Sequence, residues 1–301
     1  MIGAVDIGGT KIAVGLVTDT GQLTAFQTWR TAPEEPFETA LEKIHYELTR
    51  LARLQVVELE GVGCSITGQW DPVRERLGEN AFLPNWSGKA LKDEFESVFG
   101  LPAAVDNDAV AAAVGEYRWG TGQGTQSFIY VTVSTGIGCG IVLNGSVLRG
   151  AGGAHGESGH QVIDANAECE PCFCGARGCW ESLASGSAFR KRWQKTHPDS
   201  DWGAKEICAA AREGDTEALE AVALEGCYLG IGLGNLITLF VPEVIALGGG
   251  VMESFDLFEP FIREQIETQC GLVPWQRTKL IRAHYQYNAA LVGAAGLWQK
   301  K

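Results

Sequence analysis

The sequence of 301 residues predicts an α/β protein of two lobes with an interlobe cleft, and three observations carry that prediction. Stretches of strand character alternate with stretches of helical periodicity. The strand, glycine turn, strand pattern that opens the chain returns about 128 residues later. The length suits two domains, each with a core of its own.

The elements can be justified in order. Ile2 to Asp6 and Lys11 to Val17 alternate apolar and small residues around a Gly-Gly turn, and Leu23 to Trp29 follows a polar turn, which together read as a β-meander. Phe37, Leu41, Ile44, Leu48 and Leu51 recur at helical spacing over residues 37–54. Gly61 to Ile66 reads as a buried strand, Leu91 to Phe99 as a short helix, Pro102 to Asp106 as a strand and Asn107 to Tyr117 as an Ala-rich helix. The opening pattern then returns. Ser127 to Val133 and Ile137 to Leu143 flank a Ser-Thr-Gly turn, and Asn144-Gly145 marks a hairpin. Residues 150–180 are irregular and rich in Gly and Cys. Helices are expected at Ala188 to Lys195, Lys205 to Arg212, Glu217 to Phe240, Phe255 to Thr268 and about Ala289 to Gln299, with strands at Val244 to Leu247 and Lys279 to Arg282. With no linker to mark a boundary, the repeat sets it: a small lobe of 1–108 plus 289–301, and a large lobe of 109–288.

Bulk composition narrows the function. Apolar residues make up 45% and charged residues 20%, as in an ordinary globular protein. The formal net charge of −13 repels a phosphate backbone and weighs against nucleic-acid binding. A nucleotide is not excluded, because backbone N–H groups and a metal ion can hold one. No window approaches eighteen uninterrupted apolar residues, so no membrane partner is expected. The N-terminus MIGAVDIGGTK has no basic start and no apolar signal core, which points to the cytoplasm. Nine cysteines without a secretion signal favour metal over disulfides, and Cys169, Cys172, Cys174 and Cys179 lie within eleven residues.

Three glycine turns suit phosphate or nucleotide. Asp6-Ile7-Gly8-Gly9-Thr10-Lys11 lets the backbone approach an anion, with Thr10 as a donor and Asp6 placed to hold Mg²⁺ directly or through water. It is not a Walker loop, which needs GxxxxGK[ST] before a helix. Ser134-Thr135-Gly136-Ile137-Gly138-Cys139-Gly140 is its counterpart in the second half. Either turn alone reads equally as a tight hairpin; the force lies in the pair. Leu247-Gly248-Gly249-Gly250 would admit a flat adenine or ribose. Asp106-Asn107-Asp108 ends a strand and opens a helix. Asn107 or Asp106 would serve as a simple cap, whereas Asp108 at a strand end suits a general base for phosphoryl transfer to an alcohol.

These motifs occur in one order, followed by Gly156-Glu157-Ser158-Gly159-His160 and by Cys172-Phe173-Cys174-Gly175-Ala176-Arg177-Gly178-Cys179-Trp180-Glu181. Together they resemble the ROK family of repressors, open reading frames and kinases, from Ile2 to roughly Trp298. The resemblance implies an actin-like, ribonuclease-H-like duplicated fold and ATP-dependent phosphorylation of a hexose or N-acetylhexosamine. It implies Asp108 as catalytic base, Asn107 as a sugar ligand, and Glu157, His160 and Glu181 as ligands of sugar hydroxyls. Gly68 falls at the end of the family's sugar loop, although Ser65-Ile66-Thr67-Gly68 lacks the family's proline. Ser158 stands where the family usually has a bulkier apolar residue.

His160, Cys172, Cys174 and Cys179 offer one nitrogen and three thiolates, a closed tetrahedral set for a structural Zn²⁺. Cys169 is an alternative ligand, and the family pattern favours the other three cysteines. The cofactors expected are therefore ATP, Mg²⁺ (with Asp6, Gly8, Gly9, Thr10, Lys11, Thr135, Gly136, Gly249 and Gly250 as the ATP/Mg set) and structural Zn²⁺. Glucose is the first choice of sugar. N-acetylglucosamine, N-acetylmannosamine, fructose and mannose are alternatives, and a sugar-responsive transcriptional regulator is the alternative class. The first glycine loop begins at Gly8, which leaves no room before it for a helix-turn-helix. A homodimer is expected by analogy.

Overall fold

A computed structural model describes residues 1–298; Gln299, the expected end of the last helix, and the two lysines after it lie outside the described residues. The chain divides into two compact units. The first comprises Met1–Gly124, Gly140–Gly156 and the segment from Asn288 onward; the second comprises Thr125–Cys139 and Glu157–Tyr287.

The first unit opens with β1 (Ile2–Ile7), β2 (Lys11–Val17) and β3 (Leu23–Arg30), an antiparallel meander. Helix α1 (Phe37–Gln55) leads to β4 (Gly61–Ile66). A small hairpin of β5 (Trp70–Asp71) and β6 (Arg76–Leu77) precedes α2 (Leu91–Phe99), β7 (Ala103–Asn107) and α3 (Asp108–Trp119). Strands β4 and β7 pair parallel, which gives the sheet order β3-β2-β1-β4-β7. The periodic residues of α1, from Phe37 to Leu51, are all buried against Val5, Ile7, Val14, Leu16, Val62 and Ile66. Each such side chain contributes roughly 1.5–3 kcal/mol on burial.

Helix α9 (Ala289–Leu297) packs against α3 and β4 at glycine contacts. A Cβ on Gly63 would meet the Ala294 carbonyl, and one on Gly293 would meet that of Ala111. This packing puts α3 in the first unit, so the division follows Gly124 and not residue 108.

The same plan recurs with β8 (Ser127–Val133), β9 (Ile137–Leu143), β10 (Ser146–Val147), β11 (Val244–Gly248) and β12 (Lys279–Arg282), in the order β10-β9-β8-β11-β12. Asn144 and Gly145 both take positive φ, 51° and 77°, as the hairpin turn requires. The helices of the second unit are α4 (Trp180–Ala184), α5 (Gly186–Thr196), α6 (Ala204–Arg212), α7 (Thr216–Phe240) and α8 (Phe255–Gln269). Among the described residues, α7 alone is long and apolar enough to cross a membrane. Its small residues instead seat neighbours within the unit: Gly226, Gly230 and Gly234 lie against Phe261, Gln265 and Gln269 of α8, a four-residue ridge on both helices.

Candidate active site and metal centre

Register decides where the first unit's loops emerge. Ile7 pairs with Ile66, and Ile66 with Asn107, so three neighbouring parallel strands end together. The Gly8-Gly9 turn, the Thr67-Gly68 loop and Asp108 therefore leave from one sheet edge, the carboxyl edge at which open α/β sheets bind ligands. The Gly8 N–H donates to the Lys11 carbonyl (2.9 Å), and the Thr31 hydroxyl donates to the Gly8 carbonyl (2.7 Å). Asp6 accepts a 2.7 Å bond from the Ser65 hydroxyl. Burial raises its carboxyl above the ordinary value, against the opposing pull of Ser65 and Lys11.

Asn107 caps α3: its Oδ1 accepts from the N–H groups of Ala109 (2.9 Å) and Val110 (3.3 Å). Its Nδ2 donates to the Gly68 carbonyl at 3.1 Å, which ties the expected sugar loop to the expected base. Asp108, the next residue, is the first of α3, where the helix end favours an anion. Gly68 has φ +99°, and a Cβ there would run into Asn80.

Two residues escaped the sequence reading. Asn80 donates to the Thr67 carbonyl (2.7 Å) and accepts from the N–H groups of Phe82 and Leu83 (3.0 and 3.1 Å), so it holds the loop from behind. An Asn ahead of an apolar run is an Asx-turn signal that could have marked it. Arg149 pairs with both oxygens of Asp106; a lone Arg in an irregular segment carried no signal.

In the second unit, β8 and β11 are parallel, with Gly248 opposite Thr132, so the Ser134–Gly136 turn and the Gly249-Gly250 turn also leave one carboxyl edge. Glu181 Oε2 accepts from the Ile137 N–H at 2.8 Å and lies against Gly136, joining an expected sugar ligand to an expected phosphate turn. Thr135 is exposed at that turn. Gly249 has φ +87°, and a Cβ there would strike the Val133 carbonyl. Beside it opens a shallow cavity lined by Leu247, Gly248, Met252, Glu253, Arg282 and Tyr287.

Glu157 is exposed and starts the short helical turn Ser158–His160. Ser158 bonds Cys139, whose buried thiol is pushed up to about 12 by desolvation. Cys139 thus fills core space, as its sequence context suggested.

The donor atoms of His160, Cys172, Cys174 and Cys179 all lie within 4.8 Å of one another. His160 Nδ1 is 3.4 Å from Cys172 Sγ, and the Cys174 and Cys179 sulfurs are 3.6 Å apart. Tetrahedral Zn–S bonds of about 2.3 Å place sulfurs about 3.8 Å apart, so the set fits such an ion. Glycines at positive φ close the loop, Gly175 at 92° and Gly178 at 72°. Val162 bridges Cys179, and the Gln161 carbonyl accepts from the Trp180 N–H at 2.8 Å. Cys169 is outside the cluster among the described residues, and its carbonyl accepts from Arg177.

Two sheets of one plan, each with its glycine turns at the carboxyl edge, define an actin-like, ribonuclease-H-like duplicated fold. The ROK family model matches residues 2–301, and the chain belongs to the ROK family. It is 33% identical over 315 residues to the glucokinase of Streptomyces coelicolor, covering 97% of this chain and 96% of that protein. The crystal structure of a ROK family glucokinase from Streptomyces griseus in complex with glucose and AMPPNP is 33% identical, with TM-score 0.84 and 98% of each chain covered. The xylose repressor of Bacillus subtilis is 29% identical, over 97% of this chain and 75% of the repressor.

Proposed function

We propose that the protein transfers the γ-phosphoryl group of ATP to a hydroxyl of a hexose, with glucose as the first substrate. The observation that carries the reading is the shared edge of the first unit, where the Gly8-Gly9 turn, the Gly68 loop and Asp108 follow three neighbouring strand ends that lie in register. A carboxylate beside a loop suited to sugar and a turn suited to phosphate has the parts that phosphoryl transfer needs, chiefly positioning and charge stabilisation. The Streptomyces glucokinases, similar to this chain along nearly all of it, support the same choice of sugar and nucleotide.

In this reading Asp108 accepts the proton of the attacking hydroxyl. Gly68, Asn107, Glu157, His160 and Glu181 hold the sugar, where carboxylates accept bonds from hydroxyls. Gly8, Gly9, Thr10, Lys11, Thr135 and Gly136 receive the phosphates, Asp6 holds Mg²⁺, and Gly249 and Gly250 face the nucleoside. His160, Cys172, Cys174 and Cys179 would hold a structural Zn²⁺. With its four positions filled by protein, that ion supplies rigidity to the sugar segment and no bond to the reacting atoms. Nδ1 of His160 is the nitrogen on the thiol side, which leaves Nε2 for a sugar hydroxyl.

A DNA-binding role has the repressor's similarity behind it, and the net charge of −13 against it. ADP release measured over a panel of hexoses and N-acetylhexosamines tests the assignment, with Asp108→Asn run in parallel. Glucose should give the highest kcat/KM, and the variant should lose roughly 10²-fold or more in turnover. No ADP release with any sugar would reject the kinase; near-normal turnover by Asp108→Asn would reject the base.

A further inference from the structure

The segment that carries His160 and Glu181 is tied to the helices behind it by three side-chain amides. Asn235 of α7 donates through Nδ2 to Gln161 Oε1 at 2.8 Å. Gln269 of α8 donates through Nε2 to Asn235 Oδ1 at 2.6 Å. Backbone carbonyls stand beside both glutamines: Gln161 Nε2 donates to Gly232 (3.4 Å), and Gln269 Nε2 also donates to Ile231 (3.3 Å). A carbonyl only accepts, so each glutamine must turn its NH₂ toward the helix. That leaves Gln161 an acceptor toward Asn235 and Gln269 a donor, and the central amide has one orientation that satisfies both. Flipping any member would set acceptor against acceptor.

Gln161 is well placed to transmit this constraint. It follows His160 directly, and its carbonyl accepts from the Trp180 N–H, one residue before Glu181. The Trp180 indole rests on Gly232 so closely that a Cβ there would overlap the ring. The same turn of α7 therefore meets both strands of the small bridge that closes the metal loop.

We propose that Gln161, Asn235 and Gln269 form a one-directional amide relay that positions His160 and Glu181 for the sugar. This rests on the kinase reading. The residues are positioning residues: they act through the segment they hold.

Two variants test it in the full-length, metal-loaded protein. Asn235→Asp keeps the size and the acceptor but removes the donor to Gln161. Gln269→Leu breaks the relay at its far end without touching residues 157–181. The sugar KM should rise on the order of tenfold for Asn235→Asp and severalfold for Gln269→Leu, with the KM for ATP, kcat and metal content within about twofold of the parent. Titration of tryptophan emission with glucose should show the same loss of affinity without turnover. Unchanged sugar KM in both variants would overturn the relay, as would a parallel fall in kcat and in ATP affinity, the mark of general destabilisation. A parent protein that neither binds nor phosphorylates sugar would instead remove the kinase reading beneath it.

Discussion

Glu225 sits on α7 with no exposed surface, and its carboxyl faces Arg192 of α5. Only Oε2 is paired; Oε1 has no hydrogen-bond partner among the described residues. Burial outweighs the pull of Arg192 and pushes the carboxyl up to about 7, from an ordinary 4.5. A folded-state pKa above the unfolded one means that the native protein binds the extra proton. The associated stability is complete below pH about 4.5 and is lost as pH rises through about 7. Its size is at most about 3 to 4 kcal/mol, taking about 1.4 kcal/mol per unit. Nearby Cys208 is raised to about 11 and does not titrate in this window. Glu225→Gln removes the titration, so the Tm of the variant relative to the parent should climb from pH 5 to pH 8. A constant difference across that range would show that Glu225 does not titrate there. Arg192 also donates to the Leu183 carbonyl at the end of α4, so the pair steadies the short helix that carries Glu181.

The crossing of α3 and α9 puts a second demand on sequence, at the level of elements. Cβ atoms on Gly115 or Gly293 would meet backbone of the opposing helix, which has nowhere to go, whereas one on Gly296 would meet the side chains of Val114 and Trp119 at 3.2 and 3.4 Å. Gly293→Ala should therefore cost roughly 1–3 kcal/mol in urea unfolding, and Gly296→Ala clearly less. Because α3 begins at Asp108, kcat should fall in the first variant and hold in the second. Equal effects on stability would mean that the helices separate freely. This contact was not legible in the sequence, where both helices show only as Ala-rich stretches far apart in the chain. The long elements were legible, since α1 repeats its apolar residues at helical spacing and all of them are buried. So were the three glycine turns and the clustering of His160 with the three cysteines, which are local patterns. The β5–β6 hairpin and α4 were not: each strand has two residues and the helix five, too few for periodicity to register. The contacts of Asn80 and Arg149 join residues 13 and 43 positions apart, a distance that no local pattern spans.

For the molecule as a whole, the proposed metal at the His160, Cys172, Cys174 and Cys179 quartet would link folding to function. The stretch that carries Glu157 and His160 and leads to Glu181 at the start of α4 includes little regular structure, apart from short turns and the bridge between Val162 and Cys179. Its order rests on the four donors, on the bridge and on the amide contacts to α7. Removing an ion from three thiolates and an imidazole loses its binding energy from the folded state, and the unfolded chain offers no preformed site to compensate. Dialysis against a strong chelator should lower Tm by several degrees or more and raise the sugar KM. The KM for ATP should change less, because the Gly8-Gly9 and Gly249-Gly250 turns leave strand ends away from the loop and only the Ser134–Gly136 turn meets it, through the Glu181 bond to Ile137. Restoring Zn²⁺ should recover both quantities together. Metal-free protein with its Tm and sugar KM intact would show that these cysteines close the loop unaided. A fall in Tm with the sugar KM unmoved would separate the ion from the sugar and leave it a purely structural brace.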